Sequence, residues 1–230
     1  MSNSSLVDHI NISPNSTNPR NDTIKKITIH HMAGNISVEQ CGVIFKSRSR
    51  EASSNYGIDS KGRVGMYVEE KNRSWCSSSR SNDHQAITIE VANDEYGGDW
   101  HVSDTALNKL IELCVDICKR NNIPKLIFTG DTDGNLTMHN MFADTNCPGP
   151  YLSGKLPYIV REVNKSLTDT GADEIVKDTK AISSKKISKS DVVCVAGNAT
   201  YYNGVTVPDW VKVKKWIVSS VKGDRAVIDR

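Results

Sequence analysis

The stretch Ala86–Ala92 reads A-I-T-I-E-V-A. Ile87, Ile89 and Val91 alternate with Thr88 and Glu90, the two-residue period of a strand with one apolar face. Lys25–His30 (K-K-I-T-I-H) repeats the pattern upstream, with Ile27 and Ile29 on one face and Thr28 and His30 on the other. Downstream the period changes. Between Ser103 and Asn121, Leu107, Leu110, Ile111, Cys114, Ile117 and Cys118 form a helical stripe. Ser103 is placed to cap that helix, Asp104 suits its N-terminal dipole, and Lys119 and Arg120 suit its C-terminus. Leu126–Thr129 and Leu136–Met138 read as short strands, and Pro157–Leu167 as a last helix with Pro157 in its first turn. Strands and helices mixed in this way predict an α/β domain.

The flanking segments fit around that frame. Residues 1–23 are rich in Asn, Ser, Thr and Pro and read as an extended arm lying on the domain. Ser37–Phe45 carries a capping-box pattern, Ser37 with Gln40. Ser53–Asp59 and Val64–Val68 read as two strands joined by a turn containing Gly62. Asp131–Asn135 is a turn, its glycine out of register for a calcium loop. After Leu167 the composition turns polar as far as Ser190, which reads as a linker, and residues 191–230 alternate again as several short strands. The expected organisation is a main α/β domain over residues 1–168, a linker over 169–190 and a small β module over 191–230.

Composition excludes several function classes. The chain has 230 residues, 37% hydrophobic and 24% charged, with a net charge of +2. That is room for one full domain and a small second one, with no global bias toward nucleic acid. Five lysines gather between Lys177 and Lys189, but without the interleaved aromatics of a single-strand binder. No stretch approaches the roughly 18 apolar residues of a membrane span. The N-terminus lacks the charged and apolar regions of a secretory signal. The six cysteines are irregularly spaced in a long chain, unlike a disulfide framework. Cys114 and Cys118, on the helical stripe, read as buried thiols.

The chemistry gathers near Leu136–Pro150, L-T-M-H-N-M-F-A-D-T-N-C-P-G-P. His139 follows one short strand, Cys147 lies in the loop beyond, and His30 and Glu90 sit near the ends of two others. If those strands are neighbours, two imidazoles and a thiolate converge beside a carboxylate. Zinc is the natural metal for that donor set, and three protein ligands leave a fourth position for water, the mark of a catalytic site.

Residues 24–168 closely resemble the type 2 N-acetylmuramoyl-L-alanine amidases, the superfamily that includes peptidoglycan recognition proteins. The resemblance is carried, in order, by I-T-I-H-H-M-A-G from Ile27, Y-G-I-D-S-K-G-R-V from Tyr56, A-I-T-I-E-V-A-N-D from Ala86 and L-T-M-H-N-M-F-A-D-T-N-C-P-G-P-Y-L from Leu136. It implies a central mixed β-sheet flanked by helices. It also implies zinc held by His30, His139 and Cys147, and cleavage of the amide joining N-acetylmuramic acid to L-alanine in bacterial peptidoglycan. Glu90 matches an acid that some members use to activate water, and Tyr56 a tyrosine lining the zinc pocket. Thr145 stands where many phage members carry Lys and recognition-protein amidases carry Thr. Trp75-Cys76 departs from the Trp-His of many relatives, Cys76 reading as a pocket-wall thiol and not a ligand, and His31 is expected behind the ligands or at the rim. His84 and His101 are expected to be solvated or at the rim.

The implied mechanism has Glu90 deprotonate a zinc-bound water that attacks the lactyl–alanine carbonyl. Zinc, with Tyr56 or Thr145, meets the oxyanion, and Glu90 returns a proton to the leaving amine. Residues 191–230 resemble bacterial Src-homology-type barrels that bind cell walls, with Tyr201, Tyr202, Trp210 and Trp216 either stacking on sugars or forming the core. Catalytic domain, linker and wall-binding module together resemble an endolysin, or an autolysin. The missing signal favours a phage or prophage enzyme released to the wall through a holin, with no insertion into the membrane. The rival readings are a non-catalytic peptidoglycan-binding protein and a zinc peptidase acting elsewhere in the stem peptide.

Overall fold

The computed structural model describes residues 2–169, 188–189, 192–195, 207, 211, 215–222 and 225–229. The expected linker lies almost wholly outside the described residues, as do Tyr201, Tyr202 and Trp210. Backbone proximity divides the chain into two units, Met1–Lys177 and Asp178–Arg230.

In the first unit the elements run β1 (Val7–Ile10), β2 (Ser16–Thr17), β3 (Lys26–His31), α1 (Val38–Lys46), β4 (Tyr56–Ile58), β5 (Val64–Met66), β6 (Arg73–Ser74), α2 (Arg80–Gln85), β7 (Ala86–Val91), α3 (Asp104–Arg120), β8 (Leu136–Met138) and α4 (Gly149–Asp169). Six strands form one mixed sheet in the order β1-β5-β4-β7-β3-β8. Strand β3 lies parallel between β7 and β8, with Ile29 opposite both Ile89 and Met138. Strand β4 runs parallel to β7 and antiparallel to β5, and the arm strand β1 closes the far edge. This is the mixed sheet flanked by helices that the resemblance implies.

Alternation sorts the side chains. Ile27, Ile29, Ile87, Ile89, Val91 and Leu136 are fully buried beneath α3 and α4, where Leu110, Leu113, Ile117, Leu156 and Ile159 meet them. Cys114 and Cys118 are fully buried in that layer as free thiols. Each such aliphatic side chain contributes roughly 1.5–3 kcal/mol on burial. The opposite face of the same strands carries Thr28, His30, Thr88, Glu90 and Thr137. It is tied laterally: Thr28 Oγ1 lies 2.9 Å from Thr137 Oγ1 and accepts from Asn82 Nδ2 at 2.9 Å, and Thr88 Oγ1 lies 2.7 Å from Ser74 Oγ. Gly57 and Gly65 leave room on this face for Tyr67, because a Cβ at either would stand within 2.8 Å of its ring. Tyr67 in turn donates to Val38 O at 2.8 Å and seats α1.

Helices α1 and α3 follow their sequence signals. Ser37 and Gln40 complete the capping box, and Ser103 Oγ accepts from Ala106 N at 3.1 Å. Two expectations are corrected. Leu126–Thr129 is not a strand: Leu126 N donates to Asn164 Oδ1 and Ile127 N to Asn135 Oδ1, so side-chain amides take the place of a ladder. The last helix begins at Gly149, eight residues before Pro157, which sits inside it. The N-terminal arm is built in. Arg20, 6% exposed, donates to the carbonyls of Glu70, Asn72, His84 and Ala86 at 2.6–3.2 Å.

In the second unit, β9 (Val192–Cys194), β10 (Lys215–Lys222) and β11 (Arg225–Asp229) form an antiparallel sheet. Trp216 is buried against Val207 and Val211 and donates Nε1 to Val211 O at 2.8 Å, so this tryptophan belongs to the unit's core. Among the described residues no helix is long and apolar enough to cross a membrane.

Candidate active site

Strands β3, β7 and β8 are sheet neighbours, so the residues near their C-terminal ends converge. His30 lies opposite Glu90 in the β3–β7 register, and His139 follows β8 directly. The His30 and His139 rings stand 4.6 Å apart. Cys147 returns beneath them, its Sγ 3.7 Å from His30 Nδ1 and accepting from His31 N at 3.4 Å. Asn140 N bonds to Cys147 O at 3.1 Å and closes the loop between His139 and the cysteine. One donor atom from each of His30, His139 and Cys147 lies within 4.8 Å of the others. A second group, His30, Cys76 and Glu90, meets the same criterion and shares His30.

The same side chains leave polar atoms unpartnered. His30 Nε2, His139 Nε2 and Glu90 Oε2 are buried without a hydrogen-bond partner among the described residues, a costly arrangement unless something binds them. Burial, reinforced by the charges of His139 and His31, pushes the His30 imidazole well below its usual range, and burial lowers His139 too. Both are therefore neutral near pH 7, as metal ligands must be. Burial raises the Cys147 thiol, and nearby Glu90 adds to the effect. Burial also lifts the Glu90 carboxyl to about 8, with Arg50 and Cys76 opposing. A bound cation reverses both trends by favouring thiolate and carboxylate. The donor set fits zinc.

Of the remaining sequence-predicted residues, Thr145 stands beside the cluster, its Oγ1 accepting from Cys147 N at 3.2 Å. Tyr56 does not join it. Opposite Ile89 rather than Glu90, it projects to the apolar face, donates to Glu70 Oε1 at 2.7 Å and accepts from Ser4 N at 2.9 Å. His84 is buried rather than solvated, and its Nδ1 accepts from Asn21 N at 3.0 Å. His101 is partly exposed and pairs with Asp94 at 2.7 Å. His31 packs edge-on against Trp100, at 5.1 Å between centroids.

Cys76 lines the cluster, its Sγ 3.9 Å from Glu90 Oε1. Asp83 holds it there, accepting from Cys76 N at 3.0 Å and from Ser77 Oγ at 2.6 Å. Trp100 is a residue that sequence reasoning missed. A tryptophan in a polar, glycine-containing loop was the available signal.

The family model described as N-acetylmuramoyl-L-alanine amidase matches residues 20–150, more than half the chain and all of the cluster. The chain belongs to the N-acetylmuramoyl-L-alanine amidases. Its activity is that of the family, amide hydrolysis in the cell wall. Solved structures share the amidase fold. The catalytic domain of XlyA is 16% identical, with 67% of this chain and 97% of that one covered and a TM-score of 0.52. A selenomethionine derivative of AmpD is 16% identical, covering 68% and 96%, with a TM-score of 0.53. The PlyG catalytic domain is 17% identical, covering 75% and 98%, with a TM-score of 0.53. Comparison with curated proteins gives no match.

Proposed function

We propose that this amidase is a zinc enzyme that cleaves the N-acetylmuramoyl–L-alanine amide with His30, His139 and Cys147 as ligands and Glu90 as acid–base. The observation that carries the reading is the convergence of three donor atoms within 4.8 Å of one another, with both imidazole Nε2 atoms unpartnered. When bound, zinc supplies Lewis acidity toward the scissile carbonyl and toward an attacking water.

The protein's part is positional and protonic. The ends of β3 and β8 fix the two imidazoles, while the backbone N–H of His31 steadies the Cys147 sulfur. Glu90, on the adjacent strand with one oxygen toward Cys76 and the other free, takes the proton of the attacking water and passes it to the leaving alanine nitrogen. Thr145 Oγ1, already engaged by Cys147 N, presents its hydroxyl hydrogen toward the developing oxyanion. Tyr56 has no part in this scheme.

At the level of the cell, the reading is a phage or prophage endolysin. Residues 191–230 then act as a wall-binding barrel of Src-homology type that raises the local concentration of substrate. The described strands β9, β10 and β11 are compatible with such a barrel.

The test joins metal analysis to product chemistry. The purified chain is expected to hold one zinc per molecule, to lose wall hydrolysis on chelation and to regain it with zinc. Mass spectrometry of digested wall should find new L-alanine N-termini on intact glycan strands. Released terminal D-alanine, or full hydrolysis by metal-free protein, would refute the proposal.

A further inference from the structure

Cys76 has no place in the His30–His139–Cys147 triplet, yet it belongs to a second one. One donor atom from each of His30, Cys76 and Glu90 lies within 4.8 Å of the others. The loop that carries the thiol is fixed on both sides. Downstream, Asp83, 2% exposed, accepts from Cys76 N at 3.0 Å, from Ser77 N at 3.2 Å and from Ser77 Oγ at 2.6 Å. Upstream, Trp75 N donates to Ser53 Oγ at 3.1 Å and Ser53 N donates to Trp75 O at 2.8 Å. Anchors of this kind, outside the donors themselves, are what orients the donors of a metal position.

Imidazole, thiolate and carboxylate are all zinc donors. His30, 1% exposed, leaves Nε2 without a hydrogen-bond partner among the described residues, and Glu90 leaves Oε2 in the same state. A neutral imidazole has one lone pair to give, so it holds one ion at a time. Once His30 is taken by an ion on the first triplet, a further ion beside it has Cys76 and Glu90 as its own protein donors and water for the rest. A thiolate with a carboxylate balances the charge of one divalent cation. The smaller donor set makes this the weaker position, and the nearby positive charge of Arg50, which reaches Glu90, weakens it further. A groove of about 330 Å³, lined by Arg73, Trp75, Cys76, Ser78 and Arg80, gives an entry path to the sulfur.

We propose that Cys76 and Glu90, at the edge shared with His30, form a second, weaker position for a thiophilic divalent cation such as zinc, and that an ion seated there silences the enzyme by occupying Glu90. The step is ligand exchange: the sulfur–metal bond forms as the Cys76 proton leaves to solvent, with no change of oxidation state. The inference rests on the zinc reading for its first ion and for the part played by Glu90. The chain is then active with one zinc and inhibited by excess zinc.

The experiment titrates the metal-free full chain with cobalt(II), whose bonds to thiolate give charge-transfer absorption in the near ultraviolet, and follows wall hydrolysis in parallel over a zinc titration. The first equivalent of cobalt should bring in the Cys147 band. Beyond it, the wild type is expected to gain further thiolate absorption, and hydrolysis to fall as zinc passes one equivalent. In Cys76→Ala the additional band should be missing. The zinc concentration that halves hydrolysis should rise by about 10-fold or more, at least what loss of an outer metal-site partner costs. Glu90→Gln, which keeps the sulfur, should weaken uptake of the second cobalt over a similar range. A wild type whose thiolate absorption stops growing at one equivalent, or an inhibitory phase unmoved in Cys76→Ala, overturns the proposal. Failure of the wild type to take up a first ion counts against the zinc reading, and a thiolate band at excess cobalt that is absent from Cys76→Ala then decides this position alone.

Discussion

The two faces of the central sheet are made by alternate residues of the same strands and have little else in common. Ile27, Ile29, Ile87 and Ile89 face α3 and α4 in an apolar layer, while Thr28, His30, Thr88 and Glu90 face the pocket and are cross-linked by hydroxyl and amide hydrogen bonds. The apolar face spends its residues on packing and can be repacked at constant volume. The polar face leaves buried nitrogen and oxygen atoms without partners among the described residues, open to a ligand. One strand therefore serves stability and chemistry at once, and a change at one position should move one without the other.

The largest effect is expected on the polar face. Cys147→Ser removes the only sulfur donor of the first triplet. It should lose bound zinc and lower wall hydrolysis by about 10³-fold or more, since several kcal/mol of charge stabilisation go with the metal. Metal content and turnover are measured together, with the thermal midpoint of the metal-free proteins unchanged. On the apolar face, Ile89→Ala, one residue from Glu90, should cost about 2–5 kcal/mol of stability by denaturant titration while zinc stoichiometry stays at one. Equal losses of zinc in the two variants would erase the distinction between the faces.

A smaller effect should appear in the pH dependence of the metal-free protein. Burial lifts the Glu90 carboxyl from 4.5 to about 8, so between those values the folded chain keeps a proton that the unfolded chain has released. Stability is thus highest below pH 4.5 on this account and declines as pH rises toward 8, by on the order of 2 kcal/mol for a carboxyl in partial contact with solvent. Glu90→Gln should flatten that slope in denaturant midpoints measured at pH 5 and pH 8, and an unchanged slope would exclude Glu90 as its source. Tyr56→Phe should have the smallest effect. It leaves Glu70 without one donor and Ser4 N without its acceptor, at about 1–3 kcal/mol, and should keep turnover within about twofold. A large loss of turnover with intact stability would return Tyr56 to the catalytic side.

Much of this division was legible in the sequence, because a period of two is visible without coordinates. The alternation in Lys25–His30 and Ala86–Ala92 assigned His30 and Glu90 to one face, and the sheet register sets them opposite each other. Tyr56 shows where such reading stops. Its own strand is three residues long, too short for alternation to state a face, and pairing with Ile89 instead of Glu90 decided it. Leu126–Thr129 had strand composition, but its backbone groups went to Asn135 and Asn164, partners that no local pattern reveals. Trp100 was obscured for a related reason. It lies in a loop whose position is set by distant groups, Asn93 and the start of α4.

The N-terminal arm bears on how this enzyme can be dissected and recombined. The family match starts at residue 20, the arginine whose guanidinium gathers carbonyls from Glu70, Asn72, His84 and Ala86. A chimaera spliced at that boundary would discard Ser4, whose backbone N–H donates to the Tyr56 hydroxyl, and Asn15, whose side chain gathers the carbonyls of Phe45, Ser47 and Ala52. The portable catalytic cassette therefore begins near residue 2, and fusions are better engineered at the other end of the domain, beyond α4.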